Sequence, residues 1–315
     1  MALEPLLPWA MVVVGIVGLG LGASWLVDGA SRLALRLGVS PMVVGLTVVG
    51  FGTSMPEFAV SVRAAMFGSG ALSVGNAVGS NIMNLLLVLG VAAAVKPIQV
   101  VGGERVLRRD LIFGLVPAVL LMAAAWNGYI SRPVGLSLVA IFAVFIAVAL
   151  RSATRPSSGR TVVRGSPLAH LGLTVVGIIV LVGGSELMVR GGVEIALRFG
   201  VSEAVIGLTL VAFGTSLPEL ATSVTAALKG ESEISIGNVL GSNIFNLGLV
   251  VGTAFTIRPA LVPEFVIRQD IPFLVLATVF VGRVVVRDGR ISRAEGALML
   301  AIVAAYTVFV VIRGG

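Results

Sequence analysis

Two glutamates stand in the middle of apolar runs: Glu57 in FGTSMPEFAV and Glu219 in FGTSLPELAT. On insertion scales a charged residue at the centre of a bilayer costs about 2.5–3.5 kcal/mol, and such residues persist where they meet a partner. No lysine or arginine of the same stretch lies at their depth. Arg63 is about 9 Å further along its helix, at 1.5 Å per residue. A bound cation is the obvious counter-charge. Thr53 and Ser54 precede Glu57 by four and three residues, so on an unbroken helix their hydroxyls share its face. Thr215, Ser216 and Glu219 repeat the pattern. Pro56 and Pro218 have no N–H, so the carbonyls of Gly52 and Gly214 lose their helical donors, and the Gly-Thr-Ser before each proline predicts an interrupted helix. Carboxylate, hydroxyl and freed carbonyl make an all-oxygen set, which suits a hard cation such as Ca²⁺.

A second pair of blocks, GNAVGSNIMN and GNVLGSNIFN, adds oxygen. Asn76, Ser80 and Asn84 are spaced i, i+4, i+8 and predict one polar stripe on an apolar helix; Asn238, Ser242 and Asn246 match them. Asn76, Asn81, Asn238 and Asn243 serve equally well as helix-packing amides. Glycines 75, 79, 237 and 241 would let these helices approach a neighbour closely.

The elements that must position these residues are membrane helices. Of 315 residues 57% are hydrophobic and only 12% charged, with 40 glycines, and the mean hydropathy is +1.08. Soluble domains carry about a quarter charged residues, so a soluble enzyme, a nucleic-acid-binding domain and a disordered chain are excluded. The absence of cysteine and the single histidine exclude disulfides, thiolate sites and histidine metal clusters. The N-terminal MALEPLLPWA lacks the basic region of a cleaved signal, so the first apolar run is read as a retained helix. Apolar segments fall near 8–27, 42–67, 71–95, 107–125, 133–150, 167–189, 204–228, 233–257, 266–283 and 294–312, and spans of about 20 residues predict ten transmembrane helices. Alternate connections hold 15 of the 22 Lys and Arg, which places those connections in the cytoplasm and both termini outside. The Ser/Pro/Arg-rich stretch 151–166 is predicted to be a cytoplasmic linker between two five-helix units, 1–150 and 167–315.

Those units are copies. Residues 45–90 align without a gap on 207–252, an offset of 162, with about 28 of the 46 positions identical. An odd number of spans per copy turns the second upside down, giving an all-α fold of two inverted-topology repeats, typical of secondary transporters with one central site.

The doubled GLTVVGFGTSMPE/GNAVGSNIMN and GLTLVAFGTSLPE/GNVLGSNIFN resemble the paired repeats of the cation/Ca²⁺ exchanger superfamily, most closely its sodium/calcium exchangers. The resemblance implies an antiporter that exchanges Ca²⁺ for Na⁺ by alternating access, with the first and sixth spans sliding across the repeat core and ions as cargo rather than cofactors. It assigns Glu57 and Glu219 as shared Ca²⁺ and Na⁺ ligands and the carbonyls of Thr53 and Thr215 as Ca²⁺ ligands. Ser54, Ser216, Ser80 and Ser242, with the carbonyls of Gly50 and Ala212, would complete Na⁺ sites, and Asn84 and Asn246 would line the centre. Some relatives carry Asp at the position of Asn246, including potassium-dependent ones; Asn246 leaves two central carboxylates and disfavours K⁺ use.

The same scaffold could instead run H⁺/Ca²⁺ antiport, the glutamates titrating in place of Na⁺ binding. A Ca²⁺ channel fits the inverted repeat less well, and an intramembrane hydrolase fits the motif's amides and carbonyls less well. The other charges have ordinary readings. Glu186 and Arg190 should pair locally, His170 should sit at a helix interface, Asp28 should mark the end of the first span, and Arg63 and Lys229 should snorkel. Lipid is the expected surroundings; neither a nucleic acid nor an obligate protein partner is indicated.

Overall fold

The computed structural model describes residues 6–99, 104–151, 165–201 and 212–314. Its helices are α1 (Leu7–Leu37), α2 (Pro41–Thr53), α3 (Met55–Met66), α4 (Gly70–Val95), α5 (Glu104–Ala124), α6 (Arg132–Arg151), α7 (Pro167–Arg198), α8 (Leu217–Lys229), α9 (Ser232–Ile257), α10 (Val266–Asp288) and α11 (Arg293–Gly314). Among the described residues eight helices are long and apolar enough to cross a membrane, and the bent pair α2 and α3 makes a ninth. Residues 204–211 of the predicted seventh span, 204–228, lie outside the described residues; the rest of it is the short turn Ala212–Gly214 and α8. The predicted linker falls almost wholly outside them as well.

Local chemistry explains the ends. Pro8 opens α1, where a missing N–H costs nothing, and Gly38 closes it at φ 68°, a left-handed geometry that only glycine adopts cheaply. The Ser166 hydroxyl accepts from Ala169 N at 3.1 Å and caps α7. At 31 residues α1 is about 46 Å long, well beyond the hydrocarbon thickness. The helix therefore does not stop at Asp28, as the hydropathy pattern suggests. It continues through Arg32 and Arg36, because solvent outside the apolar layer does not break helical hydrogen bonds.

Burial orders the helices. Across its span α9 is 94% buried and α4 67%, against 22% for α6 and 17% for α11. The two repeat helices α4 and α9 thus form the centre, while α6 and α11 turn most of their apolar surface outward. Connections from the two halves pair with each other in two short antiparallel ladders: Ile98 with Ile291 and Gln99 with Arg290, then Tyr129 with Leu261 and Ile130 with Ala260.

The helices α1 and α7 run antiparallel in unusually close contact. Gly15, Gly22 and Gly29 repeat every seven residues, and Gly177, Gly184 and Gly191 repeat the same heptad 162 residues later. A Cβ on Gly15 would lie 2.6 Å from Met188 N, one on Gly177 2.5 Å from Leu26 N and one on Gly184 2.8 Å from Leu19 N, while one on Gly22 would strike the backbone at Leu181. Backbone meets backbone along the whole seam, as in small-residue membrane interfaces. Gly20, on the outer side, has nothing within 4 Å. Gly22→Leu or Gly184→Leu is expected to lower the melting temperature in detergent by several degrees, the consequence of an overpacking cost of about 1–3 kcal/mol. Gly20→Leu should leave it within a degree or so; equal shifts for all three variants would contradict the seam.

Candidate functional site

Each glutamate lies in the first turn of a helix that starts at a break. Ser54, at φ −87° and ψ 7°, separates α2 from α3, and the two axes differ by 49°. Ser216 has nearly the same geometry before α8. Pro56 and Pro218 occupy the positions where a helix tolerates a missing N–H. The predicted interruption is therefore present, and it sets Glu57 and Glu219 at helix N-termini, where the backbone dipole favours an anion. The freed carbonyl of Gly214 does not stay spare as the sequence suggested: the Ser185 hydroxyl of α7 donates to it at 2.9 Å.

The break also redirects the hydroxyls. Ser54 Oγ donates to Glu219 Oε1 at 3.0 Å, across the two copies, and not to Glu57 on its own helix face. Thr53 reaches Glu219 as well, and Thr215 reaches Glu57. The unbroken-helix expectation fails here because the 49° bend turns residues 53 and 54 away from the α3 face. From its own copy Glu57 accepts from Ser80 Oγ at 3.4 Å, and Ser242 stands by Glu219. Ser242 also donates to Gly50 O at 3.3 Å, a carbonyl that further accepts from Ser54 N at 3.2 Å. Ala212 belongs to a short helical turn, Ala212–Gly214. Ser216 Oγ, the counterpart of Ser54, is buried with no hydrogen-bond partner among the described residues.

Glu57, Glu219, Thr53, Ser54, Asn84, Ser242 and Asn246 are all 0% exposed. Oε2 of each glutamate and Oδ1 of Asn84 and Asn246 are buried acceptors with no partner among the described residues, each costing about 1–3 kcal/mol if left so. No ion pair between described residues reaches either glutamate. The described residues hold no cluster of three or more His, Cys, Asp or Glu, so the oxygen set is two carboxylates with neutral hydroxyl, amide and carbonyl groups.

Amides tie the site together, a role the sequence left open between packing and ligation. Asn76 Nδ2 donates to Ser61 Oγ at 2.9 Å and Glu57 O at 3.5 Å; Asn238 repeats this on Ser223 at 2.9 Å and Glu219 O at 3.4 Å. Asn238 Oδ1 also accepts from Thr53 at 3.0 Å. Spacing singled out Asn76 and Asn238 but not Ser61 and Ser223, the hydroxyls they brace against. A further feature hidden in the sequence is the π-helical turn that begins at Asn84 (Asn84–Val88) and at Asn246 (Asn246–Val251). Such single π-turns recur at functional positions. Gly237 and Gly241 do pack closely, a Cβ on Gly237 meeting Met42 O at 2.7 Å. The counterparts expected opposite Gly75 and Gly79 fall in 204–208, outside the described residues.

Peripheral charges are pairs. Arg190 and Glu186 bond at 2.6 Å as expected. Lys229 does not simply snorkel: its Nζ binds Asp28 Oδ1 at 2.6 Å and Ser24 Oγ at 2.8 Å, joining α8 to the middle of α1. Arg63 lies 5.9 Å from the Phe67 ring centroid. His170 is buried, its carbonyl accepting from Thr174 at the α1–α7 seam.

A family model described as sodium/calcium exchanger protein matches residues 7–151 and 169–312, both halves of the chain. The chain belongs to the sodium/calcium exchanger family. It is 36% identical over 286 residues to the inner membrane protein YrbG of Escherichia coli K12, covering 87% of each chain. It is 29% identical over 342 residues to the sodium/calcium exchanger MaX1 of Methanosarcina acetivorans, covering 95% of this chain and 97% of the other. The solved sodium/calcium exchanger of Methanococcus jannaschii superposes with a TM-score of 0.84 at 32% identity, over 96% of this chain and 98% of that one. The protein is thus an integral membrane transporter and not an enzyme, from a family whose ions are cargo and which needs no cofactor.

Asn238→Ala removes the donor shared by Ser223 and the Glu219 carbonyl and the acceptor of Thr53. It is expected to destabilise the protein by about 1–3 kcal/mol, the cost of stranding buried polar groups, visible as a lower melting temperature. An unchanged melting temperature would show that the brace is dispensable.

Proposed function

We propose that the chain is a Na⁺/Ca²⁺ antiporter working by alternating access at the Glu57–Glu219 centre. The observation that supports this most directly is a pair of fully buried carboxylates, one from each copy, each with an unpartnered oxygen and no basic neighbour among the described residues. Two carboxylates carry a charge of about −2, which one Ca²⁺ or two Na⁺ neutralise. Both ions draw on the same oxygens, so occupancy is exclusive. An empty or half-neutralised centre leaves charge in a low-dielectric interior, which opposes reorientation until the site is loaded; that makes exchange, and not leak, the allowed cycle.

The ligand set on this reading is Glu57, Glu219, Ser54, Ser216, Ser80, Ser242, Asn84 and Asn246, with the carbonyls of Thr53, Thr215, Gly50 and Ala212. The scaffold is ten spans in two inverted five-helix copies, 1–150 and 167–315, joined by a cytoplasmic linker at 151–166, with both termini outside a prokaryotic plasma membrane. The moving unit is α1 with α7. Both copies keep Gly-Thr-Ser before Pro-Glu, which favours Na⁺ over H⁺ as the coupling ion, and Asn246 disfavours K⁺.

Glu57→Gln and Glu219→Gln are each expected to abolish Na⁺-gradient-driven uptake of radioactive Ca²⁺ into proteoliposomes, a loss of at least about tenfold for an interaction of 1.4 kcal/mol or more. Parent-like uptake by either folded variant would sink the site. With Na⁺, K⁺ and pH gradients imposed separately, only Na⁺ should drive the parent protein; uptake driven by pH alone would instead select H⁺/Ca²⁺ exchange.

A further inference from the structure

Four asparagines form a closed pattern across the pseudo-two-fold axis. Asn81 Nδ2 donates to the backbone carbonyl of Asn243 at 3.0 Å, and Asn243 Nδ2 donates to the backbone carbonyl of Asn81 at 3.2 Å. Asn84 Nδ2 donates to Asn243 Oδ1 at 3.2 Å, and Asn246 Nδ2 donates to Asn81 Oδ1 at 3.1 Å. All four side chains are buried.

An amide side chain can be turned either way unless its neighbours decide. Here they decide in sequence. A backbone carbonyl only accepts, so the atoms of Asn81 and Asn243 that face carbonyls must be the NH₂ groups. Their oxygens then face the other way, toward Asn246 and Asn84. Those two residues must in turn present NH₂ groups to these oxygens, since two facing oxygens would repel. Oδ1 of Asn84 and of Asn246 is left over, buried and without a partner. Without Asn81 and Asn243, either central amide could equally present its NH₂ face, which repels a cation.

We infer that Asn81 and Asn243 are positioning residues that hold the amides of Asn84 and Asn246 oxygen-first, so that a cation at the centre meets four unpartnered oxygens, those two and one from each glutamate. This rests on the centre being a cation site, as proposed above. Neither Asn81 nor Asn243 need touch the ion.

The test uses a carboxylate, which presents oxygen whichever way it turns. Asn81→Leu is expected to raise the Ca²⁺ concentration for half-maximal uptake about tenfold in the parent protein, with a smaller change in maximal rate, and less than about threefold when Asn246→Asp is already present. Asn243→Leu should behave the same way, measured in the parent and with Asn84→Asp. Equal penalties in both backgrounds would mean that Asn81 acts only as packing and would overturn the inference. Should Asn81→Leu fail to fold, the intact protein labelled with carbon-13 at the asparagine side-chain carbonyl supplies the second measurement. Replacing Na⁺-free, Ca²⁺-free buffer by Ca²⁺ should shift a carbonyl infrared band that is missing from the Asn84→Asp/Asn246→Asp protein; no such shift would overturn it. Absence of any Ca²⁺ uptake by the parent under any gradient strikes the exchange reading itself, and uptake with equal penalties strikes only the orientation of the amides.

Discussion

The burial of two acidic side chains without a counter-charge from the described residues is the constraint around which this molecule is built. Two carboxylates with no exposure and no basic partner among the described residues are tolerable only if other groups supply what water would. The surroundings do so in layers. Helix N-termini lie behind each glutamate, hydroxyls from the opposite copy donate to it, and amides from the neighbouring repeat helix hold its backbone in place. None of these groups is a full positive charge. They lower the cost of the carboxylates without cancelling their attraction for a cation, and on the proposed function that difference separates a transport centre from a structural ion pair.

The exchange of hydroxyls between copies means that neither half holds a complete site. Ser54 serves Glu219, Thr215 serves Glu57, and the Asn81–Asn243 bonds run between the same two halves. Much of this pattern obeys the internal symmetry: the Asn76–Ser61 and Asn238–Ser223 braces match in partner and in distance. Elsewhere the symmetry fails. Ser216 has no partner although Ser54 does. Lys229 binds Asp28 on α1, whereas the equivalent positions hold Phe67 just past the end of α3 and Arg190 on α7, and Arg190 turns to Glu186 on its own helix. The two copies therefore tie their helix ends with different chemistry.

The sequence carried much of this in plain view, because a duplicated charged motif in an apolar chain has few physical explanations. The membrane class, the repeat, the interrupted helices at Ser54 and Ser216 and the burial of both glutamates could all be read from residue type and spacing. What could not be read depended on angles. Helical spacing places Thr53 and Ser54 beside Glu57, and only the 49° bend sends them to Glu219 instead. Hydropathy ends the first span near Asp28, whereas the helix runs on to Leu37, since nothing in an aqueous layer forces it to unwind. The π-turns at Asn84 and Asn246 have no signature in composition, and the reciprocal amide bonds join residues 162 apart that only the packing of the two copies against each other brings together.

The glycine seam between α1 and α7 has a bearing on how this chain can vary. Elsewhere in the interior a larger side chain is accommodated when a neighbour shrinks. At Gly15, Gly22, Gly177 and Gly184 the neighbour is main chain, which has nothing to give up. A larger residue on one helix of the seam thus has no compensating change on the other, so each of these positions is restricted to glycine on its own account. The outer faces of the two helices, where Val13, Val17 and Ile179 meet the surroundings, are free of that restriction.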